Sequence, residues 1–196
     1  DISSAEPDTL SATYSLFLDR RVDNLIIPSE YLIVATANDS EDGAIAYDLG
    51  TALNDRLLAL ANEEILIWDP NLVNLQIDAP TRIDGLQRLL TARNRLCVRI
   101  AVQDAEPLRL HHARLMSLLT TYQHALEVHL AAESLASLRD AMVLVDRRHG
   151  LIRFDRDHPR AKLLTAEVAE VLPYCKRFEE IWAEGGSSVS PTTPGL

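Results

Sequence analysis

The sequence is poor in lysine, glycine and cysteine, and each shortage excludes a class of site. Of its 19 basic residues, 17 are arginine and only Lys162 and Lys176 are lysine. Schiff-base enzymes and Walker-type phosphate sites need a lysine, so either chemistry would have to use one of these two residues. The seven glycines form neither a G-x-G-x-x-G nor a Walker sequence, which excludes the usual glycine-rich phosphate loops.

The two cysteines, Cys97 and Cys175, lie far apart in apolar segments. They do not form a disulfide framework, and a chain of 196 residues buries enough surface to fold without one. Residues 1–9 are acidic and lack the apolar segment of a signal peptide, and no apolar run approaches the length of a membrane helix. We therefore expect a reduced, cytoplasmic protein that has no membrane partner.

The charge balance is acidic. There are 29 Asp and Glu residues against 19 Lys and Arg residues, which gives a formal net charge of −10. Nucleic acids and anionic membrane surfaces attract basic proteins, so the composition disfavours nucleic acid as a partner. The hydrophobic fraction of 47% and the charged fraction of 24% are typical of a globular domain.

Hydrophobic periodicity predicts alternating helices and strands from residue 50 onward. Apolar residues at helical spacing predict helices at 51–61, at 83–94, from Pro107 onward, and at 165–184 with an interruption at Pro173. Short apolar runs predict strands at 65–68, 97–102, 126–130, 141–145 and 151–154. Strands that alternate with helices favour an α/β fold with a mixed, largely parallel sheet flanked by helices on both faces.

The two ends of the chain differ in composition from the middle. Residues 1–9 are rich in Ser, Asp, Glu and Pro, and residues 185–196 in Gly, Ser, Thr and Pro, which predicts disorder at both ends. A single α/β domain is expected over 10–184. Within it, 50–184 is the core, while 10–49 is not assigned and could add a β extension.

One segment is more specific than the rest: Arg139-Asp140-Ala141-Met142-Val143-Leu144-Val145-Asp146, a strand that enters a hairpin. The order of elements around it, and the Phe178-x-x-x-Trp182 sequence near the end, resemble the phospholipase D superfamily. The resemblance covers 50–184 and implies one half-domain of a two-motif enzyme. The segments 112–115, 122–125 and 153–160 are similar to an uncharacterised proteobacterial family of degenerate members.

The resemblance implies a missing catalyst. Active superfamily members carry His-x-Lys, four mostly apolar residues and Asp, and their histidine attacks phosphorus while the lysine binds the phosphoryl oxygens. The matching positions here hold Arg139, Ala141 and Asp146. A guanidinium stays protonated at any accessible pH, so Arg139 cannot be the nucleophile. Neither lysine lies two residues after a histidine, so we expect no catalytic residues.

Arginines at and after this strand predict an anion site. Arg153 and Arg160 can clamp a phosphate, and Asp157 can orient His158. The alternative is a surface turn with internal ion pairs. His112 begins a predicted helix, where backbone N–H groups favour an anion, although a solvated helix face is the simpler explanation. The candidate ligand-binding residues are therefore Arg139, Asp146, Arg153, Asp157, His158, Arg160 and His112.

The histidines do not predict a metal site or another cofactor. His124 and His129 are five residues apart, which matches no usual ligand spacing, and Asp155-x-Asp157-His158 lacks a second cluster. The chain has no Gly-x-Ser-x-Gly sequence of the kind that holds a serine nucleophile.

Three functions remain open on sequence grounds. The first is a non-catalytic phospholipase D-like domain that binds a small phosphate-containing ligand in its degenerate cleft. The second is a structural or protein-interaction module that acts as a homodimer, because single-motif superfamily members pair their motifs across a two-fold axis. The third is a weak phosphodiesterase or nuclease that uses His158 or His112.

Overall fold

A six-stranded mixed sheet forms the centre of the molecule. The computed structural model describes residues 16, 21–22, 24–27, 54, 56–156 and 161–190. A separate antiparallel pair, β1 (Arg21–Val22) and β2 (Leu25–Ile26), precedes the sheet. The sheet strands are β3 (Glu64–Asp69), β4 (Cys97–Val102), β5 (Leu126–Leu130), β6 (Ala141–Val145), β7 (His149–Arg153) and β8 (Ala161–Leu164). Their spatial order is β5-β4-β3-β6-β7-β8.

Helices cover both faces of this sheet. They are α1 (Pro80–Ala92), α2 (Glu106–His111), α3 (Ala113–Thr121) and α4 (Val168–Ala183), and residues 56–59 are also helical. Because side chains alternate along a strand, Ile65 and Ile67 belong to the core under 56–59 and α1–α3, whereas Leu66 and Trp68 belong to the core under α4. The α/β class with a mixed, helix-flanked sheet is confirmed.

Parallel pairing occupies a smaller part of the sheet than the sequence predicted. Strand β4 is parallel to both β3 and β5, whereas the β3–β6, β6–β7 and β7–β8 pairs are antiparallel. For the β6–β7 and β7–β8 pairs the physical reason is the length of the connections, because parallel neighbours need a long crossover and these strands are joined by short loops. The sequence analysis also missed β8.

Two helices differ from their predicted course. The helix that begins near Pro107 is broken at His112, which is 4% exposed and whose Nδ1 lies 2.9 Å from the Pro107 carbonyl oxygen. Conversely, α4 runs through Pro173 without interruption. A proline in the second turn removes a single backbone hydrogen bond, and burial of α4 residues such as Val171 and Phe178 offsets that loss.

The beginning of the C-terminal tail contacts the sheet. Residues 186–189 lie beside β5, where the Gly186 N–H donates to the Leu130 carbonyl and the Val189 N–H to the Val128 carbonyl, both at 2.7 Å. Val189 is 3% exposed, so one apolar residue in a polar segment buries itself at the sheet edge. The predictions for residues 1–9 and 191–196, and nearly all of 10–49, lie outside the described residues.

The Phe-x-x-x-Trp sequence packs α4 onto the sheet. Phe178 and Trp182 are one helical turn apart, and the Arg99 guanidinium carbon lies 5.5 Å from each ring centroid. Arg99 also donates to both carboxylate oxygens of Glu179, at 2.6 and 2.8 Å, and to Glu64 at 2.9 Å. The charged group is therefore surrounded by two rings and two carboxylates, which allows it to lie between α4 and β4.

The β6–β7 hairpin is tied to the start of β3 by Asp146. Asp146 and Arg147 have φ values of 52° and 54°, the left-handed pair that a type I′ hairpin turn requires. Aspartate tolerates this conformation, whereas it is unfavourable for arginine. The Asp146 carboxylate accepts backbone N–H groups of Asn62, Glu63 and Glu64, each at 2.9 Å. These bonds compensate for the strained turn and hold the β6–β3 register.

The same contacts set the protonation of Asp146. Partial burial alone would raise the pKa of this carboxyl group, but the donors from Glu64, Glu63 and Asn62 outweigh it and lower the pKa below its ordinary value of 3.8. The carboxylate therefore contributes stability above the ordinary pKa, and that stability is lost as the pH falls through the lowered pKa.

We predict that Asp146→Ala lowers the free energy of unfolding by about 2–3 kcal/mol at pH 7, because three backbone donors lose their charged acceptor. The difference from the wild-type protein should shrink as the pH falls below 3.8 and through the lowered pKa, because the carboxyl group is then progressively protonated in the folded state as well. Urea unfolding at pH 7 and at a series of acidic pH values measures it. Asp84→Ala, at an exposed site on α1, is the matched control; an equal effect of both substitutions would contradict this role of Asp146.

Candidate anion-binding cleft

Polar residues gather at the edge of the sheet where β3, β4 and β7 end and β6 begins. Asp69 ends β3, Gln103 directly follows β4, Arg153 ends β7 and Asp140 directly precedes β6. Ligands of α/β sheets bind outside the carboxyl ends of the parallel strands. We call this side the carboxyl edge, and it is where a binding site is expected.

An open cleft of about 560 Å³ lies at the carboxyl edge, on the face covered by α4. Its apolar lining consists of Leu138, Ile152, Phe154 and Tyr174. Its charged lining consists of Arg139, Asp140, Asp155 and Arg177. The cleft thus combines an apolar floor with two cations and two anions, and these charges balance.

Each arginine of the cleft is held by one carboxylate through two hydrogen bonds. Arg139 donates from Nε and Nη2 to Asp155 at 3.1 and 3.2 Å, which continues the antiparallel register of β6 and β7 beyond the strand ends. Arg177 donates from Nε and Nη2 to Asp140 at 2.8 and 2.9 Å. Bidentate pairs of this kind fix the plane of the guanidinium group as well as its position.

Arg177 keeps donors that Asp140 does not use. A guanidinium has five N–H groups, and the bonds to Asp140 occupy one on Nε and one on Nη2. Within the part of the chain that the structure describes, no acceptor bonds to the other three. The hydrogen bonds that Arg177 donates to Asp140 also raise the pKa of Arg177. Arg177 is therefore a permanently charged, oriented donor at the cleft.

Gln103 holds the loop that leads into the cleft. Its Nε2 donates to the carbonyl oxygens of Leu135 and Leu138, at 3.0 and 2.8 Å, and its Oε1 accepts from Arg156 Nη1 at 2.8 Å. The Arg156 N–H in turn donates to the Arg139 carbonyl at 2.8 Å. This chain of bonds fixes the backbone that carries Arg139 and Asp140 before any ligand arrives.

A buried carboxylate, Asp69, lies on the opposite face of the same edge. Asp69 is 4% exposed and accepts the N–H groups of Asn71 and Leu72 at 3.1 and 2.6 Å. Burial raises its pKa, against the smaller lowering effects of those two bonds and of the cations Arg153 and Arg156. Arg153 pairs with Ala141 across β6 and β7.

The structure brings only part of the predicted site together. Arg139 lines the cleft and Arg153 lies at the same edge, but Asp146 follows the other end of β6, roughly 20 Å away along an extended chain. Asp146 is therefore too far away to be part of this cleft. Its carboxylate instead accepts backbone N–H groups at the start of β3. His112 is buried between α2 and α3.

The remaining predicted residues, Asp157, His158 and Arg160, lie outside the described residues. Among the described residues, no group of three or more His, Cys, Asp or Glu side chains is arranged to hold a metal ion. Within the same residues, every helix is too short or too polar to cross a membrane.

Sequence reasoning missed six polar residues of the carboxyl edge: Asp69, Gln103, Asp140, Asp155, Arg156 and Arg177. A signal existed for two of them, because Asp69 closes one predicted strand and Gln103 follows another, and polar residues at such ends mark ligand sites. Arg177 gave no comparable signal. It is 37 residues from Asp140, and nothing local in a helical sequence indicates which carboxylate it will meet.

A family model described as a domain of unknown function, DUF7931, matches residues 50–190. The chain belongs to the DUF7931 family. The matched range contains the whole six-stranded sheet, α1–α4 and the ordered part of the tail. No functionally curated protein matches the sequence of this DUF7931 chain.

Two solved structures are similar to this DUF7931 chain at low identity. TrmBL2, an archaeal chromatin protein described with a novel mode of DNA binding, is 15% identical with a TM-score of 0.52. The match covers 71% of this chain and 50% of TrmBL2, and it shows a shared fold alone. Nuc from Salmonella typhimurium, a phospholipase D family member, is 13% identical with a TM-score of 0.47, covering 71% of this chain and 90% of Nuc.

We predict that the free energy of unfolding of the Asp69→Asn variant, relative to that of the wild-type protein, increases as the pH rises from 4 to 7. A carboxyl group with a raised pKa loses its favourable contribution as the pH rises through that pKa, whereas the asparagine amide does not titrate. Urea unfolding across this range measures the difference. Asp84→Asn, at an exposed site on α1, is the control. A difference in unfolding free energy between Asp69→Asn and the wild-type protein that does not change with pH would contradict the raised pKa.

Proposed function

We propose that this DUF7931 domain is a non-catalytic binding domain that holds a small phosphate-containing anion in the carboxyl-edge cleft. The observation that carries the proposal is the oriented guanidinium of Arg177, which lines the cleft and keeps three N–H groups beyond its bonds to Asp140. Charge-assisted bonds from such a fork to phosphate oxygens are among the strongest hydrogen bonds in proteins. Arg139, on the same cleft, adds a second cation.

The residue types in the cleft support binding without catalysis. Among the described residues that line it, none is histidine, lysine or cysteine. The positions that correspond to the catalytic pair of phospholipase D enzymes hold Arg139 and Ala141, and an arginine neither attacks phosphorus nor exchanges a proton at neutral pH. Such a site can bind and orient a phosphate group but supplies no general acid or base.

The balance of charge favours a small ligand. Asp140 and Asp155 neutralise the two arginines of the cleft, and the whole chain carries a formal charge of −10. A long polyanion would meet this acidic surface along its length, whereas a single phosphate group meets only the arginine donors. DNA binding is described for TrmBL2, so the test of this proposal also includes a short DNA duplex.

We predict that methyl phosphate binds the cleft and that Arg177→Ala weakens this binding at least tenfold. NMR titration of backbone amides measures the dissociation constant and shows whether the shifts centre on residues around Asp140 and Phe154. Arg88→Ala is the matched control, because Arg88 is exposed on α1, a helix of the opposite face.

Three results would overturn the proposed function. The first is the absence of a shift with methyl phosphate, and the second is an equal loss of affinity in the Arg177 and Arg88 variants. The third is saturable binding of a short DNA duplex with no binding of methyl phosphate.

A further inference from the structure

The cleft presents an exposed aromatic ring that the phosphate site does not require. Phe154 is 44% exposed and lines the cleft, whereas Phe178, the other described phenylalanine, is fully buried. Ile152, two residues earlier on the same side of β7, is 1% exposed and packs in the core under α4. The core under α4 thus extends along the strand as far as Ile152, and Phe154, just beyond the strand, is part of the cleft lining.

A second aromatic residue lies next to the arginine donor. Tyr174 and Arg177 are three residues apart on α4, so they occupy one side of the helix, and both line the cleft. Tyr174 is partly buried against the α4 core, which fixes its ring as part of the wall. The oriented cation and the two aromatic side chains therefore line the same space.

The size of the cleft exceeds the need of a bare phosphate. Its volume of about 560 Å³ falls within the range of sites for small organic molecules, roughly 300–1,000 Å³. The charged residues occur in pairs, Arg139 with Asp155 and Arg177 with Asp140, and the rest of the described lining is largely apolar. A ligand that complements this surface has one anionic end and one flat, apolar part.

We infer that the natural ligand is a phosphomonoester that carries an aromatic ring, with its phosphate on Arg177 and its ring against Phe154. The inference rests on the proposed function, because it takes the phosphate contact at Arg177 as given. Nucleoside monophosphates and aryl phosphates share this chemistry. Aromatic side chains accept flat rings of either kind, since stacking needs only a π-face and an apolar surface.

The decisive comparison is phenyl phosphate against methyl phosphate, because the two esters share the phosphate group and differ in the ring. Calorimetry on the wild-type protein should show phenyl phosphate binding at least tenfold more tightly than methyl phosphate. Phe154→Leu keeps an apolar side chain but removes the ring, and should lower the affinity for phenyl phosphate about tenfold while leaving that for methyl phosphate unchanged. Phe154→Tyr should retain the wild-type preference.

Two further measurements make the comparison specific. Leu172→Ala is the control for a lost apolar side chain, because Leu172 is 46% exposed on α4 and outside the cleft lining. In NMR spectra, phenyl phosphate should shift the Ile152 methyl resonances through its ring current, and methyl phosphate should not. AMP is the third ligand; its affinity relative to phenyl phosphate distinguishes a nucleotide from a smaller aryl ester.

The outcomes separate the two proposals. Methyl phosphate that binds through Arg177, together with phenyl phosphate that binds no more tightly, overturns the ring inference and leaves the binding function standing. A preference for phenyl phosphate that survives Phe154→Leu also overturns it, because the ring must then lie elsewhere. Failure of every phosphate ester to bind overturns both proposals.

Discussion

The Asp146 carboxylate fixes the register on which the rest of the structure depends. By accepting three consecutive N–H groups from residues 62–64, it joins the β6–β7 hairpin to the start of the central strand β3. A slip of one residue between β3 and β6 would turn every β6 side chain to the other face of the sheet. It would also move Asp140 away from its present partner Arg177 on α4.

The two ends of β6 therefore have different roles. Asp146, at the end, holds the fold through backbone donors, and Arg139 and Asp140, at the beginning, shape the cleft.

The sequence predicted the elements better than the site. Continuous apolar runs such as 65–68 and 141–145 exceed what an exposed loop tolerates, so β3 and β6 were predictable, as was the apolar stripe of α4. Strand β8 was not, because the short segment Ala161–Leu164 is mostly exposed and contains Lys162. The pairs that build the cleft join Asp140 to Arg177 and Gln103 to Arg156, and contacts across 37 and 53 residues leave no local pattern.

In the proposed function, Asp140 orients Arg177 to receive a phosphate group at the carboxyl edge of the sheet. A crystal structure of the protein grown with phenyl phosphate tests this role of Arg177. We expect a phosphate oxygen about 2.8 Å from an Arg177 nitrogen, with the Asp140 pair intact and the phenyl ring against Phe154. Phenyl phosphate bound at another surface while this cleft holds none, or an Arg177 side chain turned away from Asp140, would contradict it.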